Sequence, residues 1–148
     1  MKVLMVCLGN ICRSPLAQGI LESKVDADKV YVDSAGTSGW HDGKLADSRS
    51  IAVARKNGLD ITNQRSRKFV AEDFDTFDLI YAMDKSNLRD ILSLARNQED
   101  VAKVKLILNE VSASDKDVPD PYYGEGDGFV RVYNMLDEAC EIIASKIN

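Results

Sequence analysis

Near its start the chain reads Val6-Cys7-Leu8-Gly9-Asn10-Ile11-Cys12-Arg13-Ser14-Pro15. Residues 2–6, apolar from Val3 onwards, are typical of a short buried strand, and Pro15 is suited to the first position of a helix. The loop between them therefore lies where the first amides of a helix are unpaired and the helix dipole is positive. We predict that this loop binds an anion.

The side chains of the loop add a nucleophile and a charge clamp to this predicted anion site. Cys7 at its mouth is expected to be a thiolate near neutral pH, and Arg13 presents a planar fork that matches two phosphate oxygens. Gly9 permits backbone angles that close an anion-binding nest. Asn10 can bond the loop to itself, and Ser14 can place a hydroxyl on the cysteine sulfur. The combination indicates phosphoryl transfer through a cysteine.

Both charged groups of this motif also have an ordinary structural interpretation. A cysteine at the end of a buried strand is usually a small core residue, and an arginine one turn into a helix is usually solvated. The spacing of Cys7 and Arg13 alone would often occur by chance. The strand before the loop and the helix after it supply the context that such a motif needs, so we favour the catalytic interpretation.

Strands and helices alternate along the rest of the chain. We predict strands at residues 2–6, 30–32, 77–82 and 103–108, and helices at 15–24, at 47–57, from 84 and from 127. This pattern is typical of an α/β protein, and we predict a single-domain three-layer fold with a four-stranded parallel sheet flanked by helices on both faces. Ligands of such folds lie at the carboxyl ends of the strands, where the strand order reverses. Cys7 ends the first strand and would lie there.

Helix ends are marked by capping residues. Asp47 is a plausible N-cap and Gly58 a stop for the second helix, and Asp127 is a plausible N-cap for the last one. The last helix carries an apolar stripe at helical spacing, which we predict to face the core: Phe129, Val132, Leu136, Ala139, Cys140 and Ile143.

Composition places the chain among ordinary globular proteins. It has 148 residues, of which 45% are hydrophobic and 29% charged, enough for one domain with a buried core. No apolar run is long enough for a membrane span or a signal sequence, so we expect a cytoplasmic protein. Three cysteines do not suggest a disulfide framework, and a net charge of −5 argues against nucleic-acid binding.

The loop of residues 7–15 resembles the signature of the low-molecular-weight protein tyrosine phosphatases. Three further segments resemble that family in the same order along the chain: Asp33-Ser34-Ala35-Gly36-Thr37-Ser38-Gly39-Trp40, Ala82-Met83-Asp84-Lys85-Ser86-Asn87-Leu88 and Asp120-Pro121-Tyr122-Tyr123-Gly124. The resemblance implies one phosphatase domain over residues 1–148 that needs no cofactor or metal. It would hydrolyse phosphotyrosine in proteins, and small aryl phosphates, through a phosphocysteine intermediate. We expect no nucleic-acid or membrane partner, and a monomer or weak self-association.

The resemblance also implies individual roles. The nucleophile would be Cys7, the phosphate clamp Arg13 and the general acid Asp120. The phosphate-binding residues would be Leu8, Gly9, Asn10, Ile11, Cys12, Arg13 and Ser14, and the loop would be supported by Asn10, Ser14 and Ser34. The substrate rim would comprise Trp40, Tyr122 and Tyr123, with Leu8 beside them.

The acid role has a competing structural interpretation. A thiolate that attacks phosphorus must expel an aryl oxide whose conjugate acid has a pKa of about 10, so an acid in position accelerates the reaction typically by ~10²–10⁴-fold. Asp120 precedes a proline, and that pair commonly forms turns. Asp117 lies nearby, but only Asp120 occupies the motif position of the resemblance.

Several other positions remain open from sequence. Cys12 is either a partner for Cys7 in a reversible disulfide under peroxide, which the resemblance implies, or a buried filler. His41 is expected to be a surface loop residue. Gln64 is a possible substitute for a histidine that often extends the support network of the family. Ile11 favours phosphotyrosine, because the similar arginine-phosphate phosphatases tend to carry threonine there.

Two other functions would use a similar loop. A thiol-dependent arsenate reductase needs a relay of further cysteines, and the chain has none between Cys12 and Cys140. A phosphate-binding module without activity would be expected to lack the nucleophile or the acid, and this chain has candidates for both.

Overall fold

The computed structural model describes residues 1–122 and 127–148. Its strands are β1 (Lys2–Cys7), β2 (Tyr31–Gly36), β3 (Leu79–Ala82) and β4 (Val104–Leu106). Its helices are α1 (Arg13–Lys24), α2 (Ser48–Lys56), α3 (Asp73–Thr76), α4 (Lys85–Leu92), α5 (Gln98–Ala102) and α6 (Asp127–Ile147), and a 3-10 turn, Ile107–Glu110, follows β4. In these described ranges no helix has both the length and the apolar character needed to cross a membrane.

The described strands form one parallel sheet in the order β2-β1-β3-β4. This confirms the predicted four-stranded parallel sheet. The chain leaves β1 towards β2 on one side and later adds β3 on the other side, so the strand order reverses at β1. The carboxyl end of β1, where Cys7 pairs with Gly36, is therefore the position where an α/β sheet opens a crevice for a ligand.

The core has one apolar cluster on each face of the sheet, and β1 contributes to both. Val3, Met5 and Cys7 belong to the cluster that includes α1 and α6, whereas Leu4 and Val6 belong to the opposite cluster with Phe74. Burial on both faces explains why the sequence of β1 is continuously apolar. The predicted stripe of α6 is confirmed, since all six of its residues are buried.

Several element boundaries differ from the sequence-based expectation. α1 begins at Arg13 rather than at Pro15, which is the third helical residue. β2 continues to Gly36, because its polar residues still pair with β1 although they end the apolar pattern that predicted the strand. β4 covers only Val104–Leu106, and the apolar residues after it turn into the 3-10 segment. Asp127 lies inside the first turn of α6 instead of preceding it.

Capping residues fix the ends of the helices near the sheet edge. Asp47 caps α2 by accepting a hydrogen bond from the Arg49 amide at 2.8 Å, and Gly58 follows that helix with a φ of +78°. Asp84 caps α4 by accepting from the Asn87 amide at 2.7 Å. The helices α3 and α5 were not predicted, because four or five residues are too few to show a periodic pattern.

Gly36 lets β2 approach the loop that follows β1. A Cβ at residue 36 would lie 2.8 Å from the Leu8 oxygen and 3.1 Å from the Asn10 nitrogen. Both atoms belong to the backbone, which cannot move aside as a flexible side chain would. The loop therefore keeps its position only with glycine at the end of β2.

We predict that Gly36→Ala lowers both stability and activity, because the added methyl group must displace the backbone of the loop. The free energy of unfolding should fall by about 1–3 kcal/mol in denaturant titrations, with a loss of aryl phosphate hydrolysis. Gly39→Ala is the matched control, since a Cβ there would first meet the flexible Asp42 side chain at 3.4 Å. Equal effects of the two substitutions would contradict this account.

Candidate active site

A cleft of about 230 Å³ opens at the carboxyl end of β1. It brings together residues from three separate parts of the chain, and its lining consists of Cys7, Leu8, Gly9, Ile11, Cys12, Arg13, Trp40, His41, Asp120 and Tyr122. Three of the predicted site residues, Asn10, Ser14 and Ser34, are buried and do not line the cleft. The predicted rim residue Tyr123 lies outside the described residues.

The sulfur of Cys7 is held by two groups of its own loop. The Asn10 amide donates to it at 3.3 Å, and the Ser14 hydroxyl oxygen lies 3.0 Å away. Ser14 Oγ also accepts a hydrogen bond from Asn10 Nδ2 at 2.7 Å and donates to the Ala35 carbonyl oxygen at 3.5 Å. The loop that follows β1 therefore fixes the position of the sulfur.

Backbone amides of the same loop are available as donors to an anion. In the described part of the chain, the backbone N–H groups of Gly9, Ile11 and Cys12 donate to no acceptor. They lie directly before the N-terminus of α1, whose dipole adds positive potential. Unpaired amides at a helix N-terminus are the usual setting for binding phosphate.

The conformational freedom of the loop is supplied by a different residue from the one expected. Asn10 has a φ of +56°, whereas Gly9 does not lie in the left-handed region. Asparagine tolerates this region better than most residues, because its short polar side chain bonds locally. The small size of Gly9 serves a different purpose: a Cβ there would lie 3.0 Å from His41 Cδ2.

The side chain of Asn10 holds the loop to the sheet. It is 3% exposed, and its Nδ2 donates to Ser34 Oγ at 3.0 Å as well as to Ser14 Oγ. Its Oδ1 accepts from the Arg67 amide at 3.1 Å. Every polar atom of this buried amide therefore has a partner, as a low-dielectric interior requires.

The network beneath the loop continues through a residue that the sequence analysis missed. Ser34 Oγ donates to Gln18 Oε1 at 2.6 Å. The hypothesis that Gln64 extends this network is wrong, since its Nε2 donates to the Pro15 carbonyl oxygen at 3.1 Å. A usable signal was present: Gln18 lies four positions after Ser14, so the two share one face of α1.

Arg13 is clamped by partners distant in sequence. Its Nη1 donates to Asp84 Oδ2 at 2.6 Å and to the Val118 carbonyl oxygen at 2.9 Å. Burial opposes the charge of Arg13, but the sulfur of Cys7 and the carboxylate of Asp84 outweigh it and raise the pKa of the guanidinium. Sequence analysis gave Asp84 no role here. It follows β3, the strand beside β1, and that position was the available signal.

Asp120 both forms a local turn and lines the cleft, so the two interpretations that the sequence left open apply together. Its Oδ1 accepts a hydrogen bond from the Tyr122 amide at 3.0 Å, which is the local turn expected of an Asp-Pro pair. Its Oδ2 nevertheless lies 3.8 Å from Arg13 Nη2 in the cleft, with 38% of the side chain exposed. The alternative, Asp117, accepts from the Lys85 amide at 3.0 Å and does not line the cleft.

The wall and rim of the cleft carry apolar and aromatic side chains. Trp40 is 78% exposed, and Leu8 and Tyr122 are exposed to a smaller extent. His41 lies in a turn and is half-buried, as a surface loop residue can be, and in addition it lines the cleft with its ring close to Gly9. Sequence alone gave no indication of that contact, since the fold of the segment after Trp40 brings it about.

Cys12, the second cysteine of the loop, has a higher pKa than an ordinary thiol. Burial raises the pKa of Cys12 to about 12, with a further contribution from the carboxylate of Asp47. The side chain is 5% exposed. Cys12 is therefore a neutral thiol over the whole physiological range of pH.

Comparison with known proteins gives a consistent result. A family model described as low molecular weight phosphotyrosine protein phosphatase matches residues 2–148. The chain is 41% identical over 145 residues to the low molecular weight protein-tyrosine-phosphatase of Streptomyces coelicolor, with coverage of 93% of this chain and 88% of that protein.

Solved structures agree with the sequence comparisons. A protein tyrosine phosphatase from Entamoeba histolytica has a TM-score of 0.91 and 39% identity, with 99% of this chain and 96% of that chain covered. A Drosophila arginine phosphatase has a TM-score of 0.90 and 36% identity, with 99% and 97% covered.

We predict that Asn10→Ala destabilises the protein more than Asn10→Gly. Both substitutions remove the three side-chain hydrogen bonds, but only alanine adds strain at a φ of +56°. We expect a loss of about 2–4 kcal/mol for alanine and about 1 kcal/mol less for glycine, measured by denaturant titration. Equal stability of the two variants would show that the backbone conformation of Asn10 carries no strain.

Proposed function

The chain belongs to the low molecular weight phosphotyrosine protein phosphatase family, as its sequence resemblance predicted, and we propose that Cys7 is the nucleophile of its reaction. The family is one of hydrolases, so the chain is a protein-tyrosine phosphatase with phosphoprotein substrates. One observation carries the proposal about Cys7. Cys7 lines the same cleft as Arg13 and Asp120, and among the described residues the amides of Gly9, Ile11 and Cys12 in its loop have no acceptor.

The first step transfers the phosphoryl group to the enzyme. The thiolate of Cys7 attacks phosphorus, the S–P bond forms and the bond from phosphorus to the tyrosine oxygen breaks. Asp120 delivers its proton to that oxygen, so that a neutral phenol leaves.

The second step releases phosphate. Water attacks the phosphorus of phosphocysteine, the S–P bond breaks and Cys7 leaves as a thiolate. Asp120, now ionised, takes the proton of the attacking water. In both steps the equatorial oxygens bind the loop amides and the guanidinium of Arg13, which neutralise charge without a metal ion or other cofactor.

Substrate selection is assigned to the rim and to one loop residue. Trp40, Tyr122 and Leu8 offer flat or apolar surfaces to the phenyl ring of a substrate. Tyr123 is proposed to contribute to the same rim. Ile11 lines the cleft where the similar arginine-phosphate phosphatases tend to carry threonine, and its larger aliphatic side chain favours an aryl ester.

A redox role for Cys12 is part of the proposal. Peroxide oxidises the thiolate of Cys7 to a sulfenic acid, which condenses with the thiol of Cys12 to form a disulfide and release water. Since Cys12 stays protonated, Cys7 is the one that reacts first. The disulfide would protect Cys7 from irreversible oxidation.

The remaining features of the proposal concern the molecule as a whole. We infer one phosphatase domain over residues 1–148, present as a monomer or weak self-associate. Its partners are phosphotyrosine-containing proteins of the cytoplasm, and neither a nucleic acid nor a membrane takes part. The acidic net charge of −5 supports the absence of a nucleic-acid partner.

We predict that substitution of Cys7 and substitution of Asp120 reduce activity in different ways. Cys7→Ser should abolish turnover while inorganic phosphate still binds, because the amides and Arg13 remain. Asp120→Ala should lower kcat/KM for phenyl phosphate by about 10²–10⁴-fold and affect 2,4-dinitrophenyl phosphate far less, since that leaving group departs without a proton. The wild-type pH–rate profile should be bell-shaped on the acidic side of neutral.

These assignments have clear failure conditions. Undiminished turnover by Cys7→Ser would exclude the phosphocysteine mechanism, and a rate unchanged from about pH 5 to 8 would exclude the acid and thiolate pair. If wild type and both variants bind inorganic phosphate and none of them hydrolyses an aryl phosphate, the result favours a phosphate-binding module without activity.

We predict a preference for phosphotyrosine over other phosphorylated residues. Among matched peptides that carry phosphotyrosine, phosphoserine or phosphoarginine, the phosphotyrosine peptide should be hydrolysed fastest. Only its aryl ring can pack against the aromatic and apolar side chains of the rim. Release of inorganic phosphate measures the rates. Faster hydrolysis of the phosphoarginine peptide would contradict this preference and indicate arginine phosphatase activity, the activity for which the Drosophila structural relative is named.

A further inference from the structure

Arg49, in the first turn of α2, is held rigidly by Asp47. Its Nε and Nη2 lie 3.0 and 2.9 Å from the two carboxylate oxygens of Asp47, a bidentate pair. The same carboxylate accepts the Arg49 backbone amide at 2.8 Å. Three hydrogen bonds to one neighbour fix the direction in which the guanidinium points.

The guanidinium lies over two aromatic rings, both of which follow the proposed acid in the chain. It lies 5.4 Å from the ring centroid of Tyr122 and 4.6 Å from that of Phe129. Both distances are within the range of cation–π attraction. Tyr122 follows Asp120 by two residues, and Phe129 is in the first turn of α6. Arg49 thus contacts both Tyr122, close to Asp120, and Phe129 in α6.

The start of α2 is also bonded to the phosphate loop. The Asp47 amide donates to the Ile11 carbonyl oxygen at 2.8 Å, and Ser50 Oγ donates to the Cys12 carbonyl oxygen at 3.2 Å. A single helix end therefore contacts the loop that holds phosphate on one side and, through Arg49, the segment that holds the acid on the other.

We propose that Arg49 is a positioning residue for Asp120. The inference rests on the proposed function, in which Asp120 protonates the leaving group. The Tyr122 amide donates to Asp120 Oδ1 at 3.0 Å, so the carboxyl keeps its direction only while Tyr122 keeps its place. Arg49 binds the ring of Tyr122 and thereby sets the distance between the acid and the phosphate loop.

This role predicts a specific kinetic signature. Loss of Arg49 should lower kcat/KM where the leaving group needs a proton and spare substrates that do not need one. For Arg49→Met we expect a fall of about tenfold with phenyl phosphate and less than about twofold with 2,4-dinitrophenyl phosphate. A lower folded fraction would reduce both values equally, so the ratio separates positioning from general destabilisation.

Two further variants sharpen the test. Arg49→Lys keeps the charge but lacks the planar fork, so we expect a ratio between those of wild type and Arg49→Met. Arg55→Met removes an exposed arginine from the same helix and should leave both rates unchanged. Circular dichroism of each variant verifies that it is folded.

A double substitution tests whether Arg49 acts through Asp120. If it does, adding Arg49→Met to Asp120→Ala causes no further loss with phenyl phosphate. A multiplied loss, or equal losses by Arg49→Met with both substrates, would overturn the proposal for Arg49 while leaving Asp120 as the acid. If Asp120→Ala itself shows no dependence on the leaving group, the acid assignment fails, and the inference about Arg49 fails with it.

Discussion

The buried guanidinium of Arg13 is the constraint around which the site is arranged. A charge that is 2% exposed is tolerated only when its donors have partners. Those partners come from Asp84, which caps α4 after β3, and from the backbone of Val118, just before the acid segment. Satisfying this one side chain therefore brings separate parts of the chain to the end of β1.

A second requirement is that the nucleophile be both buried and supported. Cys7 continues the alternation of Val3 and Met5 into the core, so the sheet register fixes its direction. Neutral hydrogen bonds through Asn10 and Ser34 then hold the loop above it. Apolar packing therefore positions the sulfur, and polar contacts determine the shape of the loop around it.

The sequence analysis succeeded where a pattern is local. The apolar run of β1, the cap at Asp47 and the stripe of α6 each follow from neighbouring residues. It missed the role of Gln18, the contact of His41 with the loop and the pairing of Asp84 with Arg13. Those contacts depend on how distant segments pack, and Arg13 and Asp84 are 71 positions apart. Boundaries of β2 and β4 were missed because strand pairing, rather than apolar alternation, sets their ends.

The exposed position of Trp40 has a consequence for how the protein can be observed. It is the only tryptophan in the sequence, it is 78% exposed, and it lines the cleft. The tryptophan emission of the folded protein therefore comes from a single indole in contact with water at the entrance. An occupant of the cleft would exclude part of that water, so occupancy is reported by a natural fluorophore without any label.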